Sequence, residues 1–373
     1  MSWVIVCLIA VSFAISWLVT FWMRHFAARI GFVDKPGGRK IHDNPKPLGG
    51  GVGIFCGLAL PIVAGLAILT RSSPPGFLRS SGFLGPQIAA HIDAYWSGAR
   101  LQVPFACGIL FAGAAIHLLG LWDDKKALGP MVKLFAQLLI ISALVLAAQT
   151  RILTFLDDKM PGGNVVSLVL TILWIAAVTN AFNFLDNMDG LSAGVASVCT
   201  TAFLIATLSI GQWFVAAGLS LLLGAMLGFL WHNFPPAKIF MGDGGSMLIG
   251  LILGVLTVRT TYLAPDMSWQ NHWYAVFAPV IVLALPLYDL IVVSIIRLMR
   301  GKSPFVGDTN HFSHRLVARG MSRRTAVLCL YLVAAATSIA AIVLPHVDGD
   351  LALLIVAQTV LILGVVALLE QSK

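Results

Sequence analysis

Acidic and amide side chains interrupt the apolar sequence in the middle of this chain, where residues 180–191 read Asn-Ala-Phe-Asn-Phe-Leu-Asp-Asn-Met-Asp-Gly-Leu. Carboxylates at the edge of a hydrocarbon region are costly unless a cation, water or a polar ligand contacts them. Their clustering therefore indicates a functional site. We expect Asn183, Asp186 and Asp189 to contact a ligand, and Asn180 to have a structural role.

Four further polar clusters lie along the chain, at residues 38–51, 123–126, 240–246 and 308–315. Carboxylate and amide groups without thiolates are hard oxygen ligands, which suit Mg²⁺ or Mn²⁺ better than zinc. Lysine and arginine side chains beside such acids would neutralise phosphate oxygens during phosphoryl transfer. If these clusters meet in space, they would form a metal-dependent phosphoryl-transfer site.

The elements that must position these clusters are membrane-spanning helices. The 373 residues are 58% hydrophobic and only 11% charged, whereas an ordinary soluble domain is about 25% charged. A helix needs about 20 mostly apolar residues to cross the hydrocarbon core. The sequence therefore predicts an all-α polytopic membrane protein, a single domain over residues 1–373. About eleven spans are expected, near residues 3–22, 48–69, 104–121, 132–149, 165–181, 191–209, 212–231, 246–263, 273–297, 325–345 and 351–369.

The distribution of basic residues predicts the orientation. Lys and Arg favour cytoplasmic loops, and most of the 24 basic residues fall on one side when the N-terminus is outside and the C-terminus is in the cytoplasm. All five polar clusters then lie at the cytoplasmic face of the cell inner (plasma) membrane. The loops that carry them are predicted at about residues 23–47, 122–131, 182–190, 232–245 and 298–324.

Four of the motifs, taken together, resemble a known family. They are Asp123-Asp124, Asn180-x-x-Asn-x-x-Asp-x-x-Asp-Gly-Leu, Gly242-Asp-x-Gly-Ser and His311-x-x-His. In this order and on one membrane face they resemble the polyprenyl-phosphate N-acetylhexosamine-1-phosphate transferases, over about residues 31–324. The resemblance implies transfer of a sugar 1-phosphate from a UDP-sugar to a polyprenyl phosphate such as undecaprenyl phosphate. UMP would be released, Mg²⁺ would be required, and a lipid-linked cell-envelope glycan would begin.

The resemblance also implies roles for individual residues. Asp123 and Asp124 would be catalytic, and we favour direct attack by the lipid phosphate with one of them as base or electrostatic organiser. A covalent phospho-enzyme is the alternative. Asp243 and Asp186 would hold the metal. The remaining polar residues would contact the substrates: Asn183, Asp189, Lys133, Lys40, His311, His314 and Arg315.

The last cytoplasmic loop bears on the identity of the sugar. Its sequence Asp-Thr-Asn-His-Phe-Ser-His-Arg-Leu, residues 308–316, is closer to the His-Ile-His-His-Arg-Leu pattern of the GlcNAc-1-phosphate transferases than to the loop of the phospho-MurNAc-pentapeptide transferases. Ser313 replaces one histidine of that pattern, and Pro47 replaces the usual arginine before Leu-Gly-Gly. UDP-GlcNAc is therefore the first expectation, with UDP-MurNAc-pentapeptide or another UDP-HexNAc as the alternatives.

Each cluster also has a simpler interpretation. Asp123 and Asp124 could pair with nearby lysines at a helix end, and Asn180 and Asn183 could hydrogen-bond between helices. Asp243 could cap a helix. The two histidines lie about one helical turn apart and could bind a metal, contact diphosphate or simply belong to an interfacial helix.

A polytopic transporter is the competing class of protein. It would show charges at midmembrane or broken helices in two related halves. Apart from Arg259 and Asp289, the charged residues avoid the predicted span centres, which favours the enzyme. Membrane lipids and both substrates are the expected partners, nucleic acid is not, and family analogy suggests a homodimer.

Overall fold

Helices make up nearly all of the computed structural model, which describes residues 2–34, 45–71, 73–74, 85–260, 273–303 and 311–371. Two short strands, β1 (Val33–Asp34) and β2 (Lys46–Pro47), pair antiparallel. Turns of 3-10 helix lie at Trp273–Phe277 and Leu344–His346. The α-helices are α1 (Ser2–Arg29), α2 (Gly50–Leu69), α3 (Gly85–Leu101), α4 (Val103–Lys125), α5 (Pro130–Ala148), α6 (Leu156–Lys159), α7 (Gly163–Leu185), α8 (Leu191–Ser209), α9 (Trp213–Asn233), α10 (Asp243–Arg259), α11 (Ala278–Val282), α12 (Ala284–Met299), α13 (Phe312–Ala318), α14 (Arg323–Val343) and α15 (Gly349–Gln371).

The architecture confirms a polytopic all-α protein. Within the described residues, nine helices are long and apolar enough to cross a membrane. The segment 274–282 and α12, bent by 70° at their junction, would together make a tenth. Helix α10, at 17 residues, lies in another of the predicted spans. The number of spans and the orientation of the termini stay predictions.

Helix α10 is the central element of the fold. Every residue from Gly244 to Thr257 is buried, and the helix packs against α2, α4, α7, α8 and α9. A helix that is apolar on all sides is expected to be surrounded by protein. The start of α10 therefore lies inside the bundle, where unsatisfied backbone N–H groups must find partners from neighbouring helices.

The helices continue beyond the apolar runs that predicted them, so the connecting segments are shorter than the predicted loops. Helix α4 extends to Lys125 and α7 extends to Leu185. The predicted loop at about residues 298–324 contains α13, and α3 lies between the second and third predicted spans. Hydropathy marks the part of a helix in lipid, whereas backbone hydrogen bonding continues into water. Several site residues consequently lie on helix ends.

Glycines allow three helices to meet at the start of α10. A Cβ atom on Gly120 of α4 would lie 2.5 Å from the carbonyl carbon of Asp243. A Cβ atom on Gly51 of α2 would lie 2.6 Å from Cα of Gly245. Real Cβ atoms do not approach backbone atoms so closely, so only glycine fits at these positions. The end of α4, which carries two aspartates, is thereby held in backbone contact with the first turn of α10.

Helix α7 approaches α10 in the same way. A Cβ atom on Gly250 of α10 would lie 2.5 Å from Cα of Thr179 on α7. The segment before α10 is tied to β2, because the Phe240 N–H donates to the Pro47 carbonyl at 2.9 Å. These contacts hold α10 against α7 and hold the segment before α10 against β2.

We predict that Gly120→Ala destabilises the protein. The added methyl group must displace the backbone of α10, and overpacking of this kind typically costs about 1–3 kcal/mol. Thermal unfolding of the purified protein in detergent would measure the loss. Gly65→Ala on α2 is the matched control, since a Cβ atom there meets no atom within 4 Å. Equal melting temperatures for the two variants would contradict the backbone contact.

Candidate active site

The first turn of α10 is capped by a side chain from another helix. Asp124, on α4, accepts hydrogen bonds from the backbone N–H of Asp243 at 2.9 Å and of Gly244 at 3.4 Å. A carboxylate is favourable here because the N–H groups at a helix start carry partial positive charge. The N-cap position itself is Gly242, with a φ of 76°. Asp243 is therefore the first residue of α10 and not its cap.

Lys133 connects the ends of three helices. This residue, in the first turn of α5, places its Nζ atom 3.0 Å from Oδ2 of Asp123 and in an ion pair with Oδ2 of Asp243. The same ammonium group donates to Oδ1 of Asn183 at 3.4 Å. Asp123 also accepts from the Leu128 N–H at 2.5 Å. Each of these polar side chains is largely withdrawn from solvent.

Asn183 completes this network from the last turn of α7. Its Nδ2 atom donates to Oδ1 of Asp243 at 2.8 Å and to the hydroxyl of Ser246 at 2.9 Å. Asn183, Lys133, Asp123 and Asp243 thus form one hydrogen-bonded group, although they come from four separate segments of the sequence. We refer to these four residues, together with Asp124 and Asp186, as the acidic cluster.

Asp186 lies just after α7, at the C-cap position. Burial raises the pKa of the Asp186 carboxyl well above its ordinary value, and the negative charges of Asp243, Asp124 and Asp189 raise it further. A hydrogen bond from the Gly242 backbone acts in the opposite direction. The Lys133 ammonium contacts two other carboxylates of the cluster, so Asp186 lies in a field of excess negative charge.

Asp189 is placed beside the acidic cluster with a partner of its own. Its Oδ2 atom accepts from the Ala237 N–H at 2.9 Å, while the Ala237 carbonyl accepts from Lys46 Nζ at 2.8 Å. Asp189 and Lys46 therefore hold the segment between α9 and α10. Asn180 donates to Oε1 of Gln137 at 2.9 Å, between α7 and α5, which is the structural role expected for it.

The histidine motif belongs to a second polar cluster. His311, directly before α13, has its Nδ1 atom 2.8 Å from Oδ2 of Asp289 on α12. The ring of His314 lies 6.4 Å from that of His311, and Arg315 pairs with Oε2 of Glu370 on α15 at 2.7 Å. These residues have protein partners of their own and lie outside the acidic-cluster network described above.

A hydrogen bond joins the segments that carry the two clusters. The Ser313 hydroxyl donates to Oδ1 of Asn187 at 2.6 Å, in the turn that also carries Asp186. Ser313 stands where the related pattern has a histidine, and the structure gives it a hydrogen-bonding partner. Lys40, also predicted to contact substrate, lies outside the described residues.

Two acidic residues of the second cluster belong to none of the sequence motifs and were not predicted as site residues. Asp289 is 0% exposed and Glu370 is 6% exposed, and each lies in or at the end of an apolar helix. A carboxylate within an apolar run was the signal that could have marked them as site candidates. Their partners lie 22 and 55 residues away in the chain, too far for spacing alone to identify.

The fold and the site define a multi-pass helical membrane protein in which carboxylates, an amide and a lysine converge at the start of a central buried helix. This is a composition suited to phosphate chemistry. The family model described as Glycosyl transferase family 4 matches residues 106–261, which include the whole acidic cluster. The chain belongs to this family.

Its relatives confirm the predicted branch of that family. The chain is 31% identical, over 96% of its length and 91% of the relative's, to a probable undecaprenyl-phosphate N-acetylglucosaminyl 1-phosphate transferase of Bacillus subtilis. It is 33% identical to the decaprenyl-phosphate N-acetylglucosaminephosphotransferase of Mycobacterium tuberculosis, over 85% of this chain and 77% of the relative. The undecaprenyl-phosphate alpha-N-acetylglucosaminyl 1-phosphate transferase of Escherichia coli K12 is 26% identical, over 87% of this chain and 79% of the relative.

We predict that Asp186→Asn raises the thermal stability of the protein in EDTA. Because its pKa is raised on folding, the folded protein binds more protons at this residue than the unfolded chain. Stability is therefore lost as the pH rises above the unfolded value of about 3.9. Asparagine removes this loss of stability. The melting temperature of Asp186→Asn should therefore exceed that of the wild type by a growing margin as the pH is raised from about 5 to about 8.

Melting curves of both proteins across that pH range would measure the effect. The exposed Asp158 supplies a control, since Asp158→Asn makes the same chemical change without removing a buried charge. An Asp186→Asn protein that melts below the wild type throughout the range would contradict the excess of negative charge.

Proposed function

We propose that this chain transfers N-acetylglucosamine 1-phosphate from UDP-GlcNAc to a polyprenyl phosphate and releases UMP. The observation that carries this proposal is the acidic cluster with Lys133 at the start of α10, in a chain whose relatives carry out transfers of this kind. A membrane-embedded site suits an acceptor with an isoprenoid chain and a charged head group. We further propose that the site faces the cytoplasm, where nucleotide sugars are available.

Lys133 is the residue we propose to receive the diphosphate of the donor. An ammonium group has three donors and no acceptor, and here it contacts Asp123, Asp243 and Asn183. Negative charge that moves toward the leaving UMP would be stabilised by such a fixed cation. Its present ion pairs hold the ammonium at the centre of the cluster before substrate arrives.

The proposed step forms one bond and breaks one. An oxygen of the polyprenyl phosphate attacks the phosphorus that bears the sugar, and the bond from this phosphorus to the bridging oxygen breaks. UMP leaves with that oxygen, and the lipid product carries a pyrophosphate linked to the sugar. Transfer of this kind depends on alignment and on charge neutralisation more than on protein covalent chemistry.

The contacts of Asp123 and Asp124 favour direct attack over a covalent phospho-enzyme. Both oxygens of Asp124 accept backbone N–H groups of α10, and those of Asp123 contact Leu128 and Lys133. Carboxylate oxygens already held in this way are poorly placed to attack the phosphorus. We therefore propose that Asp124 positions α10 and that Asp123 organises the charge around the lipid phosphate.

The acidic cluster fits a divalent cation of the Mg²⁺ or Mn²⁺ type. Among the residues that the structure describes, no three His, Cys, Asp or Glu side chains form a ready group of metal ligands. Mg²⁺ usually keeps several waters and binds one or two carboxylates plus substrate phosphates, which suits Asp243 and Asp186. When bound, the ion would neutralise phosphate oxygens and orient the donor.

The alternatives to this proposal have less support. Another UDP-HexNAc or UDP-MurNAc-pentapeptide would use the same chemistry. The relatives named above, however, are transferases of N-acetylglucosamine 1-phosphate. A transporter would be expected to have broken helices at corresponding positions in two related halves. The bent pair at residues 274–299 has no counterpart in the first half of the described chain. Homodimer formation stays a prediction.

We predict that the purified protein releases UMP from UDP-GlcNAc only when polyprenyl phosphate and Mg²⁺ are both present. Turnover should be highest for UDP-GlcNAc in a panel that includes UDP-GalNAc and UDP-MurNAc-pentapeptide, with a lipid-linked product detected by mass spectrometry. Omission of the lipid is the control for simple hydrolysis. If no sugar nucleotide yields UMP while the protein moves a solute across vesicles, the transferase proposal fails.

We also predict that Asp243→Asn abolishes turnover and weakens Mg²⁺ binding. Wild-type protein should melt at a higher temperature when Mg²⁺ is added, because a ligand that binds only the folded state stabilises it. This shift should be reduced or lost in Asp243→Asn and unchanged in the exposed variant Asp158→Asn. A folded Asp243→Asn protein that retains Mg²⁺-dependent activity would remove Asp243 from the metal site.

A further inference from the structure

Asp289 is a carboxylate in the interior of an apolar helix. It lies on α12 and is 0% exposed, a position where an acid is costly unless it is paired and hydrogen-bonded. Its two oxygens receive partners from the start of α13. His311 Nδ1 is 2.8 Å from Oδ2, and the Phe312 N–H donates to Oδ1 at 3.3 Å. Asp289 therefore anchors the histidine motif to α12.

The contacts of His311 define which ring nitrogen carries the proton. Nδ1 faces the Asp289 carboxylate, which accepts, so this nitrogen donates. Nε2 lies 3.4 Å from Nη2 of Arg297, and an arginine can only donate. Nε2 is therefore the acceptor. Asp289 and Arg297, two turns apart on α12, together select the tautomer of His311 that is protonated on Nδ1.

Arg297 and His311 also contact the segment that contributes Asn183 and Asp186 to the acidic cluster. The Arg297 guanidinium lies 4.8 Å from the centre of the Phe184 ring, and the His311 ring meets that ring edge-on at 5.8 Å. Phe184 directly follows Asn183 in the chain. His311, directly before α13, packs against Phe184, and Ser313 of α13 donates to Asn187. The start of α13 thus lies against residues 183–187.

We propose that Asp289 is a positioning residue for the transfer reaction. It fixes the tautomer and the place of His311, and through His311 it holds α13 against the turn that carries Asp186. This inference rests on the proposed function, since the effect is expected on turnover. Asp289 itself is 0% exposed, so its proposed effect passes through His311.

The test is a double-mutant cycle with Asp289→Asn and His311→Ala, with turnover normalised to folded protein. Asparagine keeps the volume of the side chain, and its carbonyl can still accept from Phe312, but its amide group presents a donor to Nδ1. We expect Asp289→Asn to lower turnover at least tenfold with a melting temperature close to that of the wild type. In the His311→Ala background the same change should have no further effect.

A spectroscopic measurement separates this role from a purely structural one. In protein labelled with ¹⁵N-histidine, the His311 signals, assigned by their loss in His311→Ala, should report protonation on Nδ1 in the wild type and on Nε2 in Asp289→Asn. Asp157→Asn is the control, since this exposed carboxylate pairs with Arg151 at 2.6 Å on a distant segment. It should leave turnover and the signals unchanged.

Three outcomes would overturn the proposal. One is wild-type turnover in Asp289→Asn, another is independent, multiplying effects of the two substitutions, and the third is a wild-type His311 protonated on Nε2. The third applies even if the variant fails to fold. A wild-type protein without transferase activity would instead refute the proposed function, and the ¹⁵N measurement would still decide whether Asp289 controls His311.

Discussion

The structure depends on the contact between the end of α4 and the first turn of α10. Asp124 satisfies backbone N–H groups at a helix start that is buried within the bundle, and Gly120 permits the two backbones to touch. Without this cap, the interior end of α10 would carry orphan donors away from water, at a cost of about 1–3 kcal/mol each. The same contact brings Asp123 beside Asp243. Stability of the bundle and assembly of the site thus have one physical origin.

The protein neutralises only part of the negative charge of the acidic cluster. Asp123 and Asp243 share the single positive charge of Lys133. Asp124 is held by neutral N–H dipoles, and the pKa of Asp186 is raised by burial and by its acidic neighbours. An isolated fold would be more stable with fewer acids here. Sites that bind charged ligands commonly retain such unfavourable groups, because the ligand supplies the missing charge. A divalent cation and a diphosphate substrate would do so together.

The second polar cluster, around His311 and Arg315, packs beside the acidic cluster. Asp289 and Glu370, both buried, hold His311 and Arg315 from two different helices, and Ser313 joins the loop to Asn187. The C-terminal helix therefore contributes to the support of a loop near the site. Ser313 stands where the related pattern has a histidine, and its hydroxyl donates to Asn187, the residue after Asp186.

The sequence by itself determined the class of protein, since hydropathy reports how much of the chain must leave water, and it marked most of the acidic cluster by its motifs. It did not show which groups these side chains contact. Asp124 as a cap on α10, Asp189 on the Ala237 N–H and Asp289 on His311 all join residues more than 20 positions apart. Such contacts are set by how closely helices pack, which the glycines permit but only the tertiary structure fixes. Helix ends were likewise decided by backbone hydrogen bonds that hydropathy does not record.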